Sequence, residues 1–170
     1  MSQSRTMPLE RDAASALRII LGIMSDQLVM FGGEDTGWGR RSWNLDEIVA
    51  LEPGVSAHGR WTITGDEWFL QGHFPGNPIV PGVVMVEASA QTAAICALTH
   101  PDHQGKFGVF AGIDGVKFRR IVRPGDVLDM VITVDRLRGR IGRVNAEITV
   151  GGEAAVEGTL TFGLLEEPPA

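Results

Sequence analysis

The run GVVMVEASAQTAAICAL, from Gly82 to Leu98, contains no helix breaker and is apolar nearly all round. Pro81 precedes it, and proline suits the start of a helix because its missing N–H would find no intrahelical partner there. The pattern predicts a helix from Val80 to about Leu98, buried on most of its sides. Such a helix cannot stand free in water, so the remaining chain has to wrap it.

Most of that remainder reads as strand. "WNLDEIVALEPG" is a short strand closed by the Glu52-Pro53-Gly54 turn, and "VSAHGRWTITGDEWF" continues the alternation. "KFGVFAGIDGVKFRRIV", "DVLDMVITVDRLRG", "RIGRVNAEITVGG" and "EAAVEGTLTFGLL" each alternate or are rich in β-branched residues, and each ends in Gly, Pro or Asp turn signals. Val131, Thr133 and Asp135 should face one way, Ile132 and Val134 the other. The expected class is α+β, one long helix against an antiparallel sheet of about five to seven strands. One helix leaves much of such a sheet uncovered, which points to pairing with a second copy. Upstream, residues 1 to about 8 read as a loose terminus, Leu9 to Leu28 as an amphipathic helix, and Phe31 to Ser42 as a glycine-rich loop. The expected division is 1–44 as an N-terminal segment packed on the domain, 45–165 as the main domain and 166–170 as a tail.

The net charge of -6 over 170 residues argues against general nucleic-acid binding, which needs a basic face. A single cysteine, Cys96, rules out an internal disulfide and speaks against a cysteine-based metal site. The most apolar N-terminal run, Ala16 to Met24, is short and ends near Asp26, so neither a membrane span nor an export signal is expected. These features together predict a cytoplasmic protein.

One carboxylate interrupts the apolar helix. Glu87 stands four residues before Gln91, so both lie on one face with Val84. Either they form a satisfied structural network or they line a polar pocket, where desolvation would help a carboxyl hold a proton for transfer. His73 lies fourteen residues before Glu87, in a loop that Pro75, Pro78 and Pro81 stiffen and Gly72 and Gly76 allow to turn. A loop histidine is commonly just solvated, but three prolines restrict where this one points. Gly82 offers an unpaired N–H at the positive end of the helix, about 7–8 Å along the axis from Glu87. A base, an acid and an oxyanion site are what proton removal beside a carbonyl requires.

"GHFPGNPIVPGVVMVEASAQ" and "FAGIDGVKFRRIVRPGDVL" (Phe110 to Leu128) resemble the two signature blocks of the 3-hydroxyacyl-acyl-carrier-protein dehydratases of fatty-acid synthesis, the FabZ-like group. The likeness runs from about Leu51 to Gly163. It implies a hot-dog fold and a homodimer whose two sites each take the histidine from one protomer and the glutamate from the other; trimers of such dimers occur in the family. By position it implies His73 as the base, Glu87 as the acid toward the departing hydroxyl, the Gly82 N–H as the thioester-oxygen donor and Gln91 as support for Glu87. Phe110 falls near the family's acyl tunnel, and Phe74, next to His73, and Val83, next to Gly82, are expected to join it in binding substrate. The resemblance implies an acyl carrier protein as partner, with the substrate on its phosphopantetheine arm, and no cofactor or metal. Upstream, "GWGRRSWNLDEIV" replaces the family's "LPHRYPFLLVD"-like segment, and the chain has no tyrosine, which leaves the acyl group and the pathway, fatty-acid or polyketide-type, open.

The basic run "KFRRIVR" can be read as a carrier-docking patch of Lys117, Arg119, Arg120 and Arg123, or as a solvated strand edge. "RLRGRIGR" reads as a basic hairpin turn, "THPDHQG" and His58 as solvated positions, and Cys96 as a small buried hydrophobe. Two rival activities stand beside dehydration: thioester hydrolysis by a carboxylate on the same helix, and a non-catalytic subunit that binds a carrier or an active partner.

Overall fold

The computed structural model describes residues 44–166. The expected N-terminal helix and glycine-rich loop lie outside them. Six strands follow: β1 (Glu47–Glu52), β2 (Ser56–Thr62), β3 (Phe107–Phe118), β4 (Val127–Arg138), β5 (Ile141–Val150) and β6 (Glu153–Leu165). They form one sheet in the order β1-β2-β4-β5-β6-β3, and every neighbouring pair is antiparallel. The one long helix among the described residues, α1 (Gly82–Leu98), lies against this sheet, the hot-dog arrangement that the sequence suggests.

The strand alternation holds where it matters. Leu128, Met130 and Ile132 are buried under α1, while Val131, Thr133 and Asp135 face outward. Met85, Ala88 and Ile95 on the helix meet Trp61, Leu128, Met130 and Ile148 in one core cluster. Val86 and Ala93 meet Ile132, Val144 and Leu160 in a second cluster, and Val116 touches both. Burial of these apolar side chains is the main force holding helix and sheet together.

Several local readings change. Pro81 is the N-cap rather than a first-turn residue, so the helix begins at Gly82. The strand expected to run through "DEWF" stops at Thr62. There the Glu67 carboxylate accepts from the Thr64 and Gly65 N–H groups, at 2.7 and 2.8 Å, and turns the chain into a 3-10 helix, Trp68–Gln71. "KFGVFAGIDGVKFRRIV" ends as a strand at Phe118. "THPDHQG" is less solvated than expected, because Pro101–His103 forms a 3-10 turn that buries His103, whose Nδ1 donates to the Ala97 carbonyl at 3.1 Å. His58 is also engaged: it and Arg60 bind the Asp129 carboxylate, at 2.9 and 3.0 Å, and Arg60 reaches Glu47 at 3.0 Å. Burial favours protonation of Asp129, but the hydrogen bonds from His58 and Arg60 outweigh it and hold the carboxyl below the ordinary aspartate range. This charge ladder ties β1, β2 and β4 on the outer face.

Strand β3 is bulged between Asp114 and Lys117, with Gly115 in the left-handed region at φ +59°. The bulge drops Val116 onto Gly158 of β6, where an added Cβ would lie 2.6 Å from Val116 Cγ2 and 3.0 Å from its Cα. Backbone cannot yield as a side-chain tip can. Gly158→Ala should therefore destabilise the fold by about 1–3 kcal/mol through overpacking. Gly108→Ala, with nothing within 4 Å of its Cβ, should stay within about 0.5 kcal/mol. Urea unfolding of the two variants measures the contrast.

Candidate active site

The loop that carries His73 is built from its own turn residues. Phe74-Pro75-Gly76-Asn77 closes a turn through Asn77 N–H to the Phe74 carbonyl at 2.9 Å, with Gly76 at φ +78°. Proline at the second position and a left-handed glycine at the third are the signature of a type II turn. The His73–Phe74 peptide is cis. Beyond the turn, Ile79 clasps His73 twice: its N–H donates to the His73 carbonyl at 3.0 Å, and its carbonyl lies 3.0 Å from His73 Nδ1. A carbonyl oxygen only accepts, so Nδ1 carries the hydrogen and the Nε2 lone pair remains to take a proton. His73 is half-buried, with the exposed Phe74 ring 4.6 Å from its own, centroid to centroid.

At the helix N-terminus, the Val84 and Met85 N–H groups both turn to the Pro81 carbonyl, at 3.0 and 3.4 Å. Gly82 and Val83 contribute first-turn N–H groups, for which a helix holds no carbonyl four residues back. The lack of a side chain at Gly82 also lets the Phe118 ring come close. An added Cβ would come within 2.6–3.0 Å of the Phe118 ring, which lies over the start of the helix.

One turn further, Glu87 is half-buried rather than enclosed. Gln91, itself buried, donates from Nε2 to Glu87 Oε1 at 3.2 Å and accepts the Asn44 N–H on Oε1 at 2.8 Å. The amide is thus oriented by a backbone donor and presents its own donors to the carboxylate. Among the described residues no hydrogen bond or ion pair links His73 to Glu87; each is fixed by partners of its own.

The apolar residues of the expected site are open. Val83 is 74% exposed, Phe74 55% and Phe110 47%, although large apolar groups normally avoid water. The four expected docking cations are differently placed. Lys117 and Arg119 both pair with Glu157, and Arg120 pairs with Asp126 and Glu153. The Arg123 guanidinium donates to Asn77 Oδ1 at 2.5 Å and, among the described residues, meets no carboxylate. Sequence reading missed this contact and the Phe118–Gly82 contact. The first joins residues 46 apart, and no periodicity reports such a pair.

A family profile described as a FabA-like domain matches residues 43–159. The chain belongs to the FabA-like family. It is 49% identical over 122 residues to the 3-hydroxyacyl-[acyl-carrier-protein] dehydratase FabZ of Chloroflexus aggregans, covering 72% of this chain and 85% of that one. It is 45% identical over 123 residues to the FabZ of Natranaerobius thermophilus, covering 72% and 87%. Among solved structures, the dehydratase heterocomplex ApeI:P from Xenorhabdus doucetiae contains a chain similar at TM-score 0.61 and 19% identity, covering 74% of this chain and 83% of that one. A hypothetical thioesterase from Streptococcus pneumoniae, solved with coenzyme A, is similar at TM-score 0.55 and 12% identity, covering 72% and 88%. The two structural likenesses speak for the fold alone. The three site positions expected from the sequence, His73, Gly82 and Glu87, fall inside the matched span.

Cys96 takes no part in this constellation. It is fully buried, its Sγ lies 3.8 Å from the Glu52 carbonyl, and burial pushes the thiol up to about 11. Among the described residues no group of three or more His, Cys, Asp or Glu side chains is placed to hold a metal ion. In the native protein at pH 8 the thiolate fraction should be only about one in a thousand. Cys96 should accordingly react with a thiol reagent at the rate of global or local opening, and promptly in denaturant.

Proposed function

We propose that this chain dehydrates a 3-hydroxyacyl thioester, carried on acyl carrier protein, to the trans-2-enoyl thioester. The single observation that carries the reading is the hydrogen bond from His73 Nδ1 to Ile79, which leaves the Nε2 lone pair free to accept a proton, in a FabA-like domain. In this mechanism Nε2 removes a proton from the carbon between the thioester carbonyl and the hydroxyl-bearing carbon. Charge passes to the thioester oxygen, which the Gly82 N–H and the helix dipole stabilise. Glu87, aligned by Gln91, acts as the acid that gives a proton to the departing hydroxyl, and water leaves as the carbon–carbon double bond forms. No redox step is involved. Phe74, Val83 and Phe110 provide apolar surface for the acyl chain and pantetheine arm. Lys117, Arg119 and Arg120 remain a docking surface in this reading, tempered by their carboxylate partners.

The active unit of the proposal is a homodimer. Strand β3 ends the sheet, runs for 12 residues and holds Phe110, Ile113 and Phe118 about half exposed. A long apolar edge of this kind invites another strand. In this reading the second copy there brings its own Glu87 to the His73 of the first, and takes the first copy's Glu87 for its own His73.

Dehydration of a 3-hydroxyacyl-carrier substrate, followed by enoyl absorbance, tests the chemistry. His73→Ala and Glu87→Gln should each lower kcat/KM by about 10²–10⁴-fold. Release of free thiol without enoyl product would mean thioester hydrolysis instead. A shared site makes a second prediction. Co-refolding the two inactive variants at equal amounts should restore about a quarter of wild-type turnover, because half of randomly paired dimers hold one intact site. Sites contained within single protomers would restore none.

A further inference from the structure

The segment between Phe118 and Asp126 reaches the active site at three points. Its first residue, Phe118, covers Gly82. The Val122 carbonyl accepts the Val80 N–H at 2.9 Å, and Arg123 Nη1 donates to Asn77 Oδ1 at 2.5 Å. The segment has firm footing for this. Arg119 N–H binds the Ala155 carbonyl at 2.8 Å, and Gly125 N–H and the Asp126 carbonyl bind Ile63, at 2.7 and 3.0 Å. Asp126 also accepts the Arg123 N–H at 2.9 Å, closing the turn that aims the Arg123 side chain.

The two hydrogen-bonded points bracket Pro78 and Ile79. Ile79, whose carbonyl orients the His73 ring, stands between Asn77, held by Arg123, and Val80, held by Val122. Asn77 is also the last residue of the turn that begins at Phe74, so its position sets where the turn lies. Val80 is buried, and its backbone bond is fixed by the fold. Asn77 and Arg123 are exposed, and their side-chain contact is the adjustable tether.

We propose that Arg123 and Asn77 are a positioning pair that holds the His73 loop in register with the helix N-terminus, rather than Arg123 serving to dock the carrier. The proposal rests on the dehydratase reading. A charged donor to a neutral amide oxygen is a stronger tether than a neutral pair, and it leaves the cation satisfied without neutralising a carboxylate. Small errors in the placement of a general base are costly in rate even when binding is intact.

The test compares two substrates carrying the same acyl group, one on acyl carrier protein and one as the N-acetylcysteamine thioester. Asn77→Ala and Arg123→Ala should each lower kcat about 3- to 10-fold on both, with KM for the small thioester within about twofold of wild type. The double variant should be no slower than the worse single one, because both changes break one contact. Asn77→Asp, which keeps an acceptor for Arg123, should recover wild-type kcat, and should not do so when combined with Arg123→Ala. A loss in Arg123→Ala confined to the carrier substrate, with Asn77→Ala unaffected, would overturn the positioning role in favour of docking. Wild-type kcat in Asn77→Ala on both substrates would overturn it outright. A wild-type protein that dehydrates neither substrate would instead overturn the dehydratase reading.

Discussion

Helix α1 is apolar nearly all round, and the architecture follows from enclosing most of it. Ten of its residues are buried, among them Met85, Ala88, Ile95 and Cys96. The sheet meets them with Leu128, Met130, Ile132 and Ile148 from its central strands. Polar groups on such a helix have to be satisfied locally, because an unpaired one in this setting costs more than a hydrogen bond returns. Ser89 and Thr92 turn back to the Met85 and Ala88 carbonyls, at 3.1 and 2.9 Å. Gln91 has a backbone donor on one side and Glu87 on the other. The one carboxylate in the run therefore sits where the enclosure opens, supported by a buried amide.

The helix N-terminus gains its chemistry from what surrounds it. A bare helix start is wet, and water screens its dipole. Here the Phe118 ring rests against Gly82, and the proline-bounded loop folds beside it. The absence of a side chain at Gly82 lets the ring approach. The His73 loop is held by its own turn, by Ile79 and by the segment after β3. Rigid backbone on both sides is what allows a single histidine to be aimed.

Much of this was legible in the chain. The alternation at Leu128–Asp135, the turn at Gly54 and the unbroken apolar run after Pro81 prescribe their elements through local patterning alone. His73, Gly82, Glu87 and Gln91 stand out because each breaks the pattern around it. The readings that failed depended on contacts distant in sequence or on polar atoms invisible to patterning. "DEWF" looks like strand until the Glu67 carboxylate captures two N–H groups behind it. His103 looks solvated until its ring finds the Ala97 carbonyl. The charges of "KFRRIVR" are legible, but their partners Glu157, Asp126 and Glu153 come from other strands and turns and are not.

The strand order also carries a consequence for how the chain is made. β3 leaves the helix early, yet its one neighbour in the sheet is β6, and Phe107 faces Leu165 across that pair. During synthesis β3 must wait, an unpaired ribbon, until β6 has emerged. β6 then enters between β5 and β3 and closes both sides in one event. Loss of the last strand would leave two open edges, and with them two routes to aggregation. The C-terminal segment, which carries none of the proposed chemistry, is therefore the piece that commits the rest of the molecule to its fold.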